Sequence, residues 1–244
     1  MKKHYRLVFF TIFSVVYFSC QDSKKNCPEV HVHGALKNAM KNNDLSAHVD
    51  LKDFKGKANL YGLGARENLK GEVTVINSKP YISFAENEEV IITNSWSEKA
   101  NFFIYSYVEK WEEHTIPLTV KTSKDLENYL AQFVAICSKD EKDPFPFLIQ
   151  GVASSITWHI VNWDINDTIH THEKHQKSGA YSTWINEPVE IIGFYAPEHA
   201  GVIRHHSTKL HMHVRTEDNR IVGHLDDILL GQNMVLKLPF KHGK

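Results

Sequence analysis

The stretch Leu210–His224, LHMHVRTEDNRIVGH, constrains the fold of this chain more than any other. Strand side chains alternate between faces, so His211 and His213 share one face. The polar run TEDN is a turn signal, because Asp and Asn tolerate positive φ. A two-residue turn at Asp218-Asn219 would set His213 directly across from His224, with Cβ atoms about 5 Å apart on the same face. Register decides the outcome, since a one-residue slip would send His224 to the opposite face. In the correct register three imidazoles converge on one point, which suits a borderline-soft cation such as Zn²⁺. Three protein ligands leave a coordination position open, the pattern of a catalytic rather than a structural metal. The competing reading is a solvated, His-rich strand pair in a chain that carries 16 histidines. A bare HxH pair would deserve that reading, but a third His in register favours the metal.

Charged residues make up 23% of the 244 residues and hydrophobic ones 42%, the balance of an ordinary globular protein with enough chain for a sizeable core. The net charge of −1 and the lack of a basic stripe argue against nucleic acid as a partner. The first twenty residues read as an export signal. Lys2, Lys3 and Arg6 precede the apolar run Leu7–Phe18, which is too short to span a bilayer comfortably and ends at Ser19-Cys20. A small residue followed by Cys resembles a bacterial lipoprotein signal, although Tyr17 and Phe18 are bulky for one. The expectation is cleavage before Cys20, lipidation of its thiol and a location at the cell envelope, with membrane contact through the lipid anchor alone. Ordinary secretion is the rival. Residues 21–29 read as a tether. Cys27 and Cys137 remain, and an exported compartment permits a disulfide between them or leaves two thiols.

The domain is expected over residues 30–240, with a subdomain boundary allowed near 140–147, where a charged run meets Pro144 and Pro146. Strands are expected at 29–32, 59–63, 71–76, 80–84, 90–93 and 101–107. A short helix should cover 35–40. Ser123–Ile136 has the clearest helical stripe, Leu126, Tyr129, Leu130, Phe133 and Val134, with Ser123 as cap. Strands at 147–152, 155–162, 189–195, the hairpin, 227–230 and 234–238 follow. Helical signals sit mostly in the first half, so the class is α+β and strand-rich rather than alternating βαβ.

Two other His-rich stretches read as bland. His31 and His33 form an HxH without a third ligand and should lie on the surface. His170, His172 and His175 in IHTHEKHQ fail the helical metalloprotease motif, because His172 and His175 are three apart rather than four. That stretch reads as a polar loop. HMHVRTE also fits half of a cupin motif, with Glu217 as a fourth ligand, and a cupin-like oxygenase or isomerase is the second reading. No P-loop, dinucleotide fingerprint or GxSxG is present.

Several stretches, taken in order, resemble the α-acetolactate decarboxylases. YGLGARENLKGEV (61–73) is similar to that family's FGLGTFNxLDGE. VEIIGFYAPEHA (189–200) is similar to its IVGFxxPxYA, and LHMHVRTEDNRIVGHLDD (210–227) to its HLHFxxxDRxxGGHVLD. HGALKNAMKNND (33–44) resembles the helix that opens the family's domain. The resemblance implies a mixed sheet with helices in the first half and an antiparallel, barrel-like second half. It also implies Zn²⁺ on His211, His213 and His224, and decarboxylation of 2-acetolactate to acetoin and CO₂ by a chain that could be a homodimer. Glu72 falls on the active-site glutamate of the family's GE pair. Two departures stand out. Counting from Gly151 puts His159 where the family keeps an arginine for the substrate carboxylate, and histidine is shorter and only partly charged. PFKHGK, at 239–244, offers no acid to match a C-terminal glutamate. Arg66 could project toward the site in compensation. A divergent, non-catalytic binding protein of the envelope is the third reading.

Overall fold

The computed structural model describes Met1 and residues 28–86, 89–138 and 140–240. The stretch expected to be an export signal, with Cys20, most of the expected tether and Cys27 lie outside the described residues; Cys137 is buried. No helix among the described residues is long and apolar enough to cross a membrane.

Alternation of β-branched and aromatic residues builds two sheets. The first contains β1 (Val30–His33), β2 (Val49–Asp50), β3 (Leu60–Arg66), β4 (Glu72–Ile76), β5 (Lys79–Glu86), β6 (Glu89–Thr93) and β7 (Lys99–Tyr107), in the order β1-β7-β3-β4-β5-β6 with β2 also on β7. The second contains β8 (Trp111–Thr115), β9 (Phe145–Ile160), β10 (Ala180–Tyr195), β11 (Leu210–Thr216), β12 (Val222–Leu229) and β13 (Val235–Pro239). The chain changes sheet between β7 and β8. In the second sheet β10 pairs with both β9 and β11, β11 with β12, and β12 with β9, so four strands close into a circuit. That closure is the barrel-like character expected of the second half. Every pairing between named strands of the first sheet is antiparallel, where the resemblance implies a mixed sheet.

Helices are few. α1 (Leu36–Asn42) lies after β1, and α2 (Ser123–Ala131) and α3 (Val134–Cys137) precede β9. The helical stripe expected over 123–136 is therefore broken at Gln132-Phe133. Its cap is Thr122 rather than Ser123: the Thr122 side chain accepts from the Asp125 N–H and Asp125 reciprocates. α4 (His172–Lys177) turns the expected polar loop into a short helix in the second half. The strands expected at 147–152 and 155–162 are one 16-residue strand, β9. Gly151 lets it continue, with φ of 139°, where an added Cβ would lie 3.0–3.3 Å from Met234.

The alternation divides the core. Leu210, Met212 and Val214 point into the closed circuit with Phe145, Phe147, Ile156 and Trp158. On the outer face, Leu148, Ile192, Phe194 and Val222 pack against Tyr61, Leu63, Phe102 and Ile104 of the first sheet. Each fully buried side chain of this size contributes about 1.5–3 kcal/mol. His211 and His213 belong to that outer face, so the hairpin histidines lie between the two sheets.

Candidate metal centre

The hairpin has the register expected from sequence: His213 pairs with His224, Val214 with Gly223 and Arg215 with Val222. Its loop is longer than the two-residue turn. Thr216 N–H donates to Ile221 O, which leaves the four residues Glu217–Arg220 outside the ladder, with Asn219 at φ 58°. Both loops preserve the same pairing. Glu217 is exposed in that loop, away from the histidines, which removes it from the cupin-like ligand set.

One ring nitrogen each from His211, His213 and His224 lies within 4.8 Å of the others, and the ring centroids are 5.0–5.7 Å apart. His211 Nδ1–H donates to the Ile203 carbonyl at 2.6 Å, which leaves Nε2 as its bare nitrogen. His213 Nδ1 bonds the Thr74 hydroxyl at 2.8 Å. Its Nε2 is buried without a hydrogen-bond partner, 3.6 Å from Glu72 Oε2. An orphaned buried nitrogen is costly unless something ligates it. Burial pushes His211 down to about 3 and His213 and His224 well below the ordinary imidazole value. The three rings are therefore neutral, as ligands must be. Outer partners that fix ring orientation are usual around metal-binding imidazoles. The residues present fit a metal ion.

Glu72 opens β4 and is buried. Its Oε1 accepts from the Val161 N–H at 3.2 Å, and burial pushes its carboxyl up to about 7 against the opposing pull of His159. Phe102 stacks on His211 at 5.6 Å. Gly64 lets β3 approach β7 at this point, because a Cβ there would stand 1.9 Å from the Phe102 backbone carbonyl oxygen. His211, His224 and Glu72 line a cleft with a cavity volume of about 60 Å³, whose walls also include Leu36 and Met40.

His159 lines the cleft beside His224, its ring 4.8 Å away. It donates from Nδ1 to Asp226 Oδ2 at 2.8 Å. Asp226 sits at a register shift between β12 and β9, a bulge that re-aims its carboxylate. Arg66 does not compensate for the missing arginine, since its guanidinium is bound to the Lys70 carbonyl and to Glu98, each at 2.7 Å. None of the described residues lining the cleft is arginine or lysine. His31 and His33 stack on Tyr105, on the face of the first sheet opposite Phe102, and take no part. The IHTHEKHQ stretch does reach the site: His172 and His175 line the cleft with His205, while His170 bonds His175 at 2.8 Å. Sequence reasoning missed Thr74, Phe102, Asp226 and His205, and it set His172 and His175 aside as part of a polar loop. Asp226 carried a local signal, two positions after His224 on one strand.

The profile of the alpha-acetolactate decarboxylase family matches residues 31–240. The chain belongs to the alpha-acetolactate decarboxylase family. Two of the stretches that carry the resemblance, 61–73 and 210–227, meet at the centre just described. Three solved structures share the fold. Alpha-acetolactate decarboxylase from Bacillus subtilis strain 168 is 15% identical, with a TM-score of 0.69, over 88% of this chain and 86% of that one. Acetolactate decarboxylase from Bacillus subtilis subspecies spizizenii is 14% identical, with a TM-score of 0.70, over 88% and 87%. A Staphylococcus aureus protein of unknown function, described as similar to alpha-acetolactate decarboxylase, is 17% identical, with a TM-score of 0.67, over 87% and 85%. A search of curated proteins found no match.

Proposed function

We propose that this chain decarboxylates 2-acetolactate to acetoin and CO₂, using Zn²⁺ held by His211, His213 and His224. The observation that carries the reading is the buried, unpartnered Nε2 of His213 beside Glu72, inside a three-histidine cluster of a chain of this family. The bond between the carboxylate carbon and the hydroxyl-bearing carbon breaks, and its electron pair moves onto the neighbouring carbonyl oxygen. When bound, the metal would chelate substrate oxygens and offset the negative charge that develops there. A proton must then reach the carbon that lost CO₂. Glu72 is our candidate to deliver it, because its carboxylate stands 3.6 Å from His213 Nε2 and the Val161 N–H fixes its other oxygen. Leu36, Met40 and Phe102 provide apolar wall that excludes water from a small substrate.

The lack of arginine and lysine among the described residues that line the cleft gives specific support to the rival reading, a divergent member that binds metal without turnover. The test is acetoin release from added 2-acetolactate by the purified protein, with metal content measured alongside. Release that disappears in His211→Ala/His213→Ala together with the metal supports the enzyme. A metal-loaded protein that releases no acetoin supports the rival.

A further inference from the structure

The connection between β10 and β11, residues 196–209, touches the site at three separate points. Its Ile203 carbonyl takes the His211 Nδ1–H at 2.6 Å. Its Gly201 and Val202 carbonyls accept the Lys37 and Leu36 N–H groups at 2.8 and 3.2 Å. Those are first-turn donors of α1, whose Ala35 cap offers no side-chain acceptor. Leu36, Ala39 and Met40 wall the cleft, so the loop sets where that wall stands. His205, also from the loop, lines the same cleft.

Arg204 is buried within this loop and is not among the residues lining the cleft. Its side chain donates only to backbone carbonyls of the loop itself. Nε donates to Ala196, one terminal nitrogen to Pro197 at 2.7 Å, and the other to His205 at 3.0 Å and Thr208 at 2.6 Å. Ala196 and Pro197 open the loop and Thr208 nearly closes it, so one planar group joins both ends. A guanidinium offers enough donors in a fixed fork to do this, whereas an ammonium is a point charge with three donors. Glu127 of α2 secures the closing end, accepting from the Lys209 N–H at 2.7 Å and the Thr208 hydroxyl at 3.1 Å.

We propose that Arg204 is a positioning residue of this site. Its guanidinium fixes the shape of the 196–209 loop, and through that loop the orientation of the His211 ring and the place of α1 against the cleft. For His211 this rests on the reading of the triad as a metal centre; for α1 it does not.

Amide hydrogen exchange of the metal-free full chain, and a Co²⁺ titration followed by visible absorption, test it with Arg204→Lys, which keeps the charge and loses the fork. The Leu36 and Lys37 amides should exchange at least tenfold faster than in the wild type. The Ile116 amide, which donates to Met234 just past β8 at the other end of the second sheet, should not change. The variant should bind Co²⁺ at least tenfold more weakly, with displaced absorption bands, the size of effect that follows loss of an outer partner. Wild-type exchange at Leu36 and Lys37, or Co²⁺ affinity and bands unmoved by the substitution, overturns the proposal. So does equal acceleration at all three amides, which is general destabilisation. Should Arg204→Lys fail to fold, the wild type still decides. Its Arg204 guanidinium protons should exchange far more slowly than those of Arg220, whose side chain is 56% exposed, and equal rates overturn the proposal. A wild type that takes up no Co²⁺ sinks the metal centre, while the exchange result still decides the role of Arg204.

Discussion

Glu72 is the residue on which chemistry and stability meet. Replacing it with Gln keeps the shape and removes both the charge and the transferable proton. Acetoin formation by Glu72→Gln is expected to fall by about 10² or more, the scale of a lost acid–base group, with metal still bound by the triad. The same substitution has a signature in the metal-free protein. Burial raises the folded pKa of Glu72 from 4.5 to about 7. Below 4.5 both folded and unfolded chains hold the proton, so nothing is lost. Between 4.5 and about 7 the unfolded chain ionises first, and stability drains as pH rises through that window. The loss amounts to about 3–4 kcal/mol at most, at roughly 1.4 kcal/mol per pKa unit. Urea denaturation of metal-free wild type and Glu72→Gln at pH 5 and pH 8 checks this. The variant should gain on the wild type at pH 8 and not at pH 5, and equal differences at both would show that Glu72 is not held protonated.

The elements were legible where alternation or helical spacing spoke, and less so where a single residue set the boundary. The hairpin register was readable because its histidines and valines can face only one way, and two different loops yield the same pairing. The continuity of β9 was not readable, since glycine in a strand usually signals a break and the space beside Gly151 is a tertiary fact. Gly151→Ala puts a Cβ on a residue with φ of 139° and against Met234. It is expected to cost on the order of 1–3 kcal/mol, read from the shift in urea midpoint, with metal content unchanged because Gly151 does not line the cleft. A stability equal to wild type would mean that the strand can relax there. The α2 cap was misplaced by one residue because Thr122 and Ser123 are equally good caps by type, and only the Asp125 geometry distinguishes them.

For the whole molecule, the cleft makes acid the solvent condition to which the fold is most exposed. Burial lowers His175 to about 3, His205 to about 4 and His211 to about 3. The unfolded chain takes up protons below about 6.5 that the folded chain refuses, so stability is full above that pH and is lost as pH falls toward 3–4. The metal-free protein should therefore show a urea midpoint that drops from pH 7 to pH 5, opposite in sign to the Glu72 contribution and larger because several rings act together. A flat midpoint would place these rings in water. Zn²⁺ should raise the midpoint at pH 7 by mass action on the folded state. Location is a separate proposal, resting on Lys2, Lys3, Arg6, the Leu7–Phe18 run and Cys20. Mass spectrometry of the expressed protein is expected to find a chain that begins at a lipidated Cys20 in the membrane fraction. Cys20→Ser should leave it unprocessed or released, and an unmodified mature chain with another start would favour simple secretion.

The sequence by itself determined the strand-rich class, the hairpin register, the three converging imidazoles and, through motif resemblance, Glu72 and the position of His159. These depend on periodicity and spacing, which are properties of a short stretch of chain. Tertiary structure alone decided that the outer face of the hairpin meets the first sheet, that Thr74 orients His213, and that Arg66 turns away to Glu98. It also brought His172 and His205 beside Asp226. Those contacts join segments far apart in sequence, where no local pattern carries information. They follow from two sheets burying apolar faces against each other and from a single bulge that turns one carboxylate inward.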